Sequence, residues 1–89
     1  MLNIAETADM MASRDYKTRF VAEFVQLTVR KEKLWRTIDR YRAGNLDFNP
    51  TCPLDLLEKQ YNAMDLYHSI LIKRAELEGI NLKEEVERA

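Results

Sequence analysis

From Asp15 to Ala43 the chain runs without a glycine or proline, and Phe20, Phe24, Leu27, Lys31, Leu34, Ile38 and Tyr41 recur through it at spacings of 4, 3, 4, 3, 4 and 3. A heptad seam of that length is a helical pattern and excludes a strand, whose side chains alternate with period two. At 1.5 Å per residue the predicted helix 15–43 is about 43 Å long. A chain of 89 residues has room for one small domain, so everything else must be arranged along this rod. Ser13 or Asp15 is placed to cap its start, and Gly44 can take the left-handed conformation that ends it.

Residues 44–52, GNLDFNPTC, concentrate the turn formers. Leu46 and Phe48 are expected to fold back and plug the end of a hairpin. Thr51 or Cys52 can cap the next helix, and Pro53 suits its first turn. In that second helix, 53–78, Leu54, Leu57, Tyr61, Met64, His68, Leu71 and Ala75 again alternate at 3 and 4, and Gly79 offers a stop. So short a connection makes the helices antiparallel. Turning about residues 46–49 sets Ile38 near Leu57, Leu34 near Tyr61, Lys31 near Met64 and Leu27 near His68. Residues 1–14 read as a short helical arm that orders only against something else, because an isolated helix this short is marginal in water. Residues 80–89 read as a polar tail, a frayed or docked helix. The expected fold is all-α: a long antiparallel helical hairpin over 15–79, with an N-terminal arm and a C-terminal tail.

Each helix carries more apolar surface than one seam needs. Val21, Val25, Thr28 and Trp35 line a second strip on the first helix. Leu56, Gln60, Ala63, Tyr67, Ile70, Arg74 and Leu77 line one on the second. Two helices cannot bury both strips on each other, and each large apolar side chain left in water forgoes about 1.5–3 kcal/mol. Either the arm and tail cover them within one chain or further copies do. The size of the surface favours a symmetric homo-oligomer, in which Trp35 and Ile70 are expected at the contacts.

Composition narrows the function classes. The chain is 46% hydrophobic and 33% charged, with only two Gly and two Pro, which excludes a linker, a disordered tail and a turn-rich β-sandwich. One Cys excludes a disulfide framework or a Cys-based zinc site within one chain and fits a reducing compartment. No apolar run reaches the roughly 18 residues of a membrane span, and no signal-peptide pattern opens the sequence. The expectation is a cytoplasmic protein with no membrane contact. The net charge is −1, which argues against a nucleic-acid partner. Residues 16–42, however, carry eight Lys/Arg against Glu23, Glu32 and Asp39.

Little points to catalysis. There is no Gly-rich phosphate loop, no Ser/His/Asp set in recognisable context and no His-Glu-x-x-His. His68 is the sole His and reads as a seam residue; Cys52 reads as structural. The chain is expected not to be an enzyme, and to need no metal and no cofactor. Lys31 is the anomaly, since an ammonium on the seam must snorkel out, pair with an acid or meet an anion. Arg14, Tyr16, Lys17 and Arg19 cluster about the start of the first long helix, where basic and aromatic groups beside free helical N–H groups can grip phosphates and stack bases. Tyr67 and Arg74, on the second strip of the second helix, can face the same place if the interface between copies brings the arm over them. The candidate ligand-binding set is Arg14, Tyr16, Lys17, Arg19, Lys31, Tyr67 and Arg74, with an anionic nucleotide-derived small molecule as the partner.

The segments Tyr16-Lys17-x-Arg19-Phe20, Glu23-Phe24-x-Gln26-Leu27 and Tyr41-x-Ala43-Gly44-x-Leu46-Asp47-Phe48-x-Pro50-Thr51-Cys52-Pro53 carry a resemblance that continues through Leu56-Leu57-x-x-Gln60, Ala63-Met64-x-x-Tyr67 and Arg74-Ala75-x-x-Glu78-x-Ile80. The chain resembles small proteins of crAss-like phages. More distantly, it is similar to the helical-hairpin sponge proteins of anti-CBASS and anti-Thoeris type. That resemblance implies an oligomer that sequesters a cyclic nucleotide messenger between protomers, without cleaving it, in the host cytoplasm. It transfers architecture and no binding residue; Tyr16, Lys17 and Arg19 come from position and chemistry. The alternative is a phage interaction module that inhibits a host protein through an exposed apolar helix face.

Overall fold

The computed structural model describes the backbone of residues 3–88 and the side chains of residues 3–86; the ends of the expected arm and tail lie outside the described residues. The elements in order are α1 (Ile4–Met11), α2 (Tyr16–Ala43), α3 (Leu54–Glu78) and α4 (Leu82–Arg88), with no strand among the described residues.

Local chemistry sets the boundaries. The Asn3 side chain accepts from the Glu6 N–H at 2.8 Å and starts α1. Asp15 caps α2, accepting from the Thr18 N–H at 3.0 Å and the Thr18 hydroxyl at 2.7 Å. These bonds hold its carboxyl below the ordinary carboxylate value. Gly44, at φ 71°, closes α2, and Gly79, at φ 72°, closes α3. In both cases the next residue's N–H returns to a carbonyl five residues back, Asn45 to Arg40 at 2.8 Å and Ile80 to Ala75 at 2.9 Å, which satisfies acceptors that the helix end leaves free. Asn81 caps α4 through the Glu84 N–H at 3.0 Å. At the start of α3 the expected Thr51 or Cys52 cap does not form. Pro53 itself takes the cap position, without a side-chain bond.

The central helix is α2, which packs against α1, α3 and α4. Its length matches the long axis of the molecule, 42 Å. Phe20, Val21, Val25 and Leu27 form one core with Leu71 and Ala75 of α3 and with Ile80. Met10 of α1 and Leu82 and Val86 of α4 close over that core. Thr7 seats α1: fully buried, it donates to the Ile4 carbonyl at 2.6 Å and accepts from the Gln26 amide at 3.1 Å.

The antiparallel register falls close to the seam reading. Lys31 meets Asp65 beside the expected Met64. Trp35, next to Leu34, packs against Tyr61 with the two rings tilted at 42°, and His68 stacks on Phe24, one turn before Leu27.

Two expectations are corrected. Val21 and Val25 need no second copy, because they are buried in the core closed by α1, at 2% and 4% exposure. Phe48 does not plug the hairpin; it is 58% exposed, in the irregular connection between α2 and α3 where no helix holds its side chain toward the core, while Leu46 is half-buried. The second strip of α3 stays open within the chain: Leu56, Tyr67, Ile70 and Leu77 are all exposed, joined by Leu66 and Ile72.

Candidate functional site

The sequence-selected residues fall into three places. Tyr16 and Arg74 meet at the start of α2. The Tyr16 hydroxyl donates to Glu78 Oε1 at 2.6 Å and accepts from Arg74 Nη2 at 2.9 Å. Arg74 Nε also lies 3.4 Å from Glu78 Oε2, one turn along α3. The Arg74 guanidinium sits 5.1 Å from the centre of the Phe20 ring, within cation–π range. The bond to Glu78 raises the Tyr16 phenol above its ordinary value, and the bond to Tyr16 raises Arg74. The hydroxyl is thus held as a neutral link between a cation and an anion.

Lys17 and Arg19 turn away from this link. Lys17 Nζ pairs with Glu85 Oε1 of α4 at 2.7 Å, and Arg19 Nη1 donates to the Ser13 carbonyl at 2.8 Å, tying the α1–α2 connection to α2. Arg14 is exposed in that connection, with no ion pair or hydrogen bond among the described residues. Of the candidate cations at this end, Arg14 alone has no partner among the described residues; Lys17 and Arg74 hold acids and Arg19 a carbonyl.

Tyr67 lies on one flank of the hairpin, in an open groove of about 560 Å³ between α2 and α3. Glu23, Gln26, Arg30, Gln60 and Met64 share its walls. Lys31 lies on another groove, of about 400 Å³, with Thr28, Glu32, Trp35, Arg36, Tyr61 and His68. Its ammonium pairs with Asp65, which lowers that carboxyl, and sits 5.6 Å from the Tyr61 ring centre. The seam lysine therefore escapes burial by reaching an acid at the helix edge.

The sequence reading missed what surrounds Lys31. Trp35 leans on Tyr61, ring centres 5.3 Å apart, and the Arg42 guanidinium lies 5.7 Å from the indole centre. Arg42 is itself paired with Glu58. His68 stacks on Phe24 at 4.9 Å and 27°. Burial first, and then the nearby Lys31 charge, push the imidazole below its ordinary value, against a weaker pull from Asp65. At neutral pH it is uncharged, with one ring nitrogen a donor and the other an acceptor. The signal was in the sequence, in the interleaving of basic and aromatic residues at Lys31, Trp35 and Arg36. Tyr61 and His68 were masked by their seam positions, which read as core.

Among the described residues no group of three or more His, Cys, Asp or Glu is placed to hold a metal ion, and no helix is long and apolar enough to cross a membrane. Cys52 is a free, exposed thiol.

No curated protein and no solved structure matches the chain. A family model described as Sequestin matches residues 14–77, a span that takes in α2, the turn and α3 almost to its end, and leaves out α1 and α4. All three groups of candidate residues lie inside that span, and on this match over most of its length the chain belongs to the Sequestin family.

Proposed function

We propose that this protein is a phage anti-defence sponge: a non-enzymatic binder that holds a cyclic nucleotide second messenger in pockets between copies of itself, in the host cytoplasm. The observation that carries the reading is the Sequestin match across the hairpin, since the family name itself points to sequestration. The grooves agree with it in chemistry: cations, aromatic rings and amide groups line them, and two have volumes in the range of small-ligand sites.

In this reading Arg14, Lys17, Lys31 and Arg74 supply charge to phosphate, Tyr16 and Tyr67 supply ring faces to bases, and Arg19 fixes the segment that carries Arg14. Lys17, Lys31 and Arg74 hold Glu85, Asp65 and Glu78 in the free chain. An incoming phosphate takes the place of a carboxylate on these cations, so binding is an exchange of anions and the site stays neutral when empty. Copies associate through the open strip of α3, where Leu56, Ile70 and Leu77 lack cover. Signalling is suppressed by mass action: free messenger falls while total messenger is unchanged, provided protein exceeds messenger and Kd lies below the signalling concentration.

The test is to incubate purified protein with a panel of cyclic dinucleotides, cyclic trinucleotides and cyclic ADP-ribose isomers, remove the protein, and assay the filtrate before and after heat denaturation. Depletion followed by recovery of the intact molecule is expected. Hydrolysed product would replace the sponge with an enzyme, and no uptake across the panel would remove it. The same exposed strip of α3 favours one second reading, a module that docks on a host protein. Light scattering at micromolar concentration separates the two: a stable homo-oligomer for the sponge, a monomer–dimer equilibrium for the docking module.

A further inference from the structure

We infer that the groove beside Trp35 is a nucleotide-binding site in which the base stacks on the indole and a phosphate meets Arg36. The inference rests on the nucleotide reading above and assigns its base-recognition half to residues outside the first candidate set.

Three observations mark this groove, and the first separates it from the 560 Å³ groove, whose Arg30 is likewise exposed and without an ion pair or hydrogen bond among the described residues. The first is the ring platform. Trp35 is 45% exposed, and it is braced by the Tyr61 ring on α3 and by the Arg42 guanidinium. A braced and accessible indole loses little freedom when a flat base lands on it, and stacking on aromatic side chains is worth about 1–3 kcal/mol per base. The 560 Å³ groove has Tyr67 as its one ring, among Gln26, Gln60 and Met64. The second is the free cation. Arg36 has no ion pair or hydrogen bond among the described residues, whereas Arg74 and Lys17 are held by Glu78 and Glu85. A phosphate reaches Arg36 without displacing a carboxylate, and the planar guanidinium fork matches it. The third is the polar edge. His68 shares the groove wall as a neutral ring fixed by its stack on Phe24, and Glu32 supplies a carboxylate acceptor. Together they offer a donor and acceptors to the polar rim of a base or to ribose hydroxyls. Lys31 is neutralised by Asp65, so Arg36 and Glu32 leave the rest of the wall near zero net charge. That balance suits one phosphate attached to an uncharged base and sugar, and disfavours a bare polyanion.

The chain has a single tryptophan among four tyrosines, so indole emission, excited at wavelengths that tyrosine does not absorb, reports on this groove. The full-length protein is titrated with AMP and with cyclic di-AMP, and ribose 5-phosphate serves as the probe with a phosphate and no base. Saturable quenching by an adenine nucleotide and none by ribose 5-phosphate is expected. Arg36→Glu is expected to weaken the quenching titration about tenfold or more, with helix content by circular dichroism unchanged because Arg36 is exposed. Trp35→Leu, followed by equilibrium dialysis because it lacks the fluorophore, is expected to lose binding of the same nucleotide.

Unmoved Trp35 emission with both adenine nucleotides overturns the inference, as does nucleotide binding that survives both substitutions. The sponge reading fails separately. Uptake of a messenger by the wild-type chain with unmoved emission sinks the groove and spares the sponge. Quenching by AMP with no messenger taken up from the panel spares the groove and sinks the sponge.

Discussion

The two long helices are close in length, 28 residues in α2 and 25 in α3, and both carry a second apolar strip beside the hairpin seam. Yet α2 buries Phe20, Val21, Ala22, Val25, Leu27 and Ile38, while α3 buries Leu71 and Ala75. The difference lies in their neighbours. Helices α1 and α4 both pack on α2, so the Val21 and Val25 end of its strip is closed inside the chain and Trp35 alone of its large apolar members stays accessible, whereas α3 leaves Leu56, Tyr67, Ile70 and Leu77 in the open. An amphipathic pattern states that a face requires cover and does not say what covers it. One helix has its cover built in; the uncovered one is where another molecule has most to gain by docking.

The sharpest way to break this contrast is to truncate one core and one open residue side by side. Leu71→Ala, at a fully buried position, is expected to lower unfolding stability by about 2–5 kcal/mol in urea titrations. Its neighbour Ile70→Ala, at 48% exposure, is expected to change unfolding of the separated chain by less than about 0.5 kcal/mol and to lower the mass of the assembly in light scattering. Equal loss of helix content in both variants at every concentration would erase the distinction between the two faces.

Next in size is the turn that makes the two helices neighbours. Gly44→Ala puts a Cβ at φ 71° with open space around it, so the cost is backbone strain alone, about 1 kcal/mol by the same titration.

A smaller effect tests the Lys31 flank. His68 titrates below its ordinary value of 6.5 in the folded chain. Between the lowered value and 6.5 the unfolded chain binds more protons, so stability is full above about pH 6.5 and falls as pH drops through that window. His68→Leu is expected to abolish this slope in melting temperatures measured across it. Lys31→Met removes a charge that holds the imidazole down, and is expected to raise the His68 value in a proton NMR titration. An unshifted His68 would mean that Lys31 does not act on it. The smallest effect is expected from Tyr16→Phe. It removes the hydroxyl between Arg74 and Glu78 at an exposed site, with an unfolding change within about 0.5 kcal/mol.

What could be read in the residues, and what could not, follows the same divide. Helical character, the Asp15 cap, the stops at Gly44 and Gly79 and the antiparallel register are written in local chemistry and in the seam, so they were legible. The seating of α1 was not, because it depends on Thr7 meeting Gln26, far along the chain and both polar. In the candidate site, Tyr67 and Arg74 were expected to reach the Tyr16 cluster through a contact between copies; that Arg74 meets Tyr16 inside one chain, with Glu78, and that Tyr67 lies in a separate groove was not legible. Nor were the pairings of Lys17 with Glu85 and Lys31 with Asp65, since an acid several turns away becomes a partner only once helix packing sets which faces meet. Trp35 was assigned to a contact between copies and Tyr61 and His68 to the seam; only their convergence in one groove brings out a second use.

The account stands or falls on the open face of α3 being closed by another copy that traps a messenger at its border. Native mass spectrometry of protein purified from infected cells reads both halves in one spectrum. The account predicts an assembly whose mass is a multiple of the 10.5 kDa chain, carrying an additional small molecule that heating releases with the mass of an intact cyclic nucleotide. A bare 10.5 kDa chain at every concentration sprayed, with nothing bound, would contradict it.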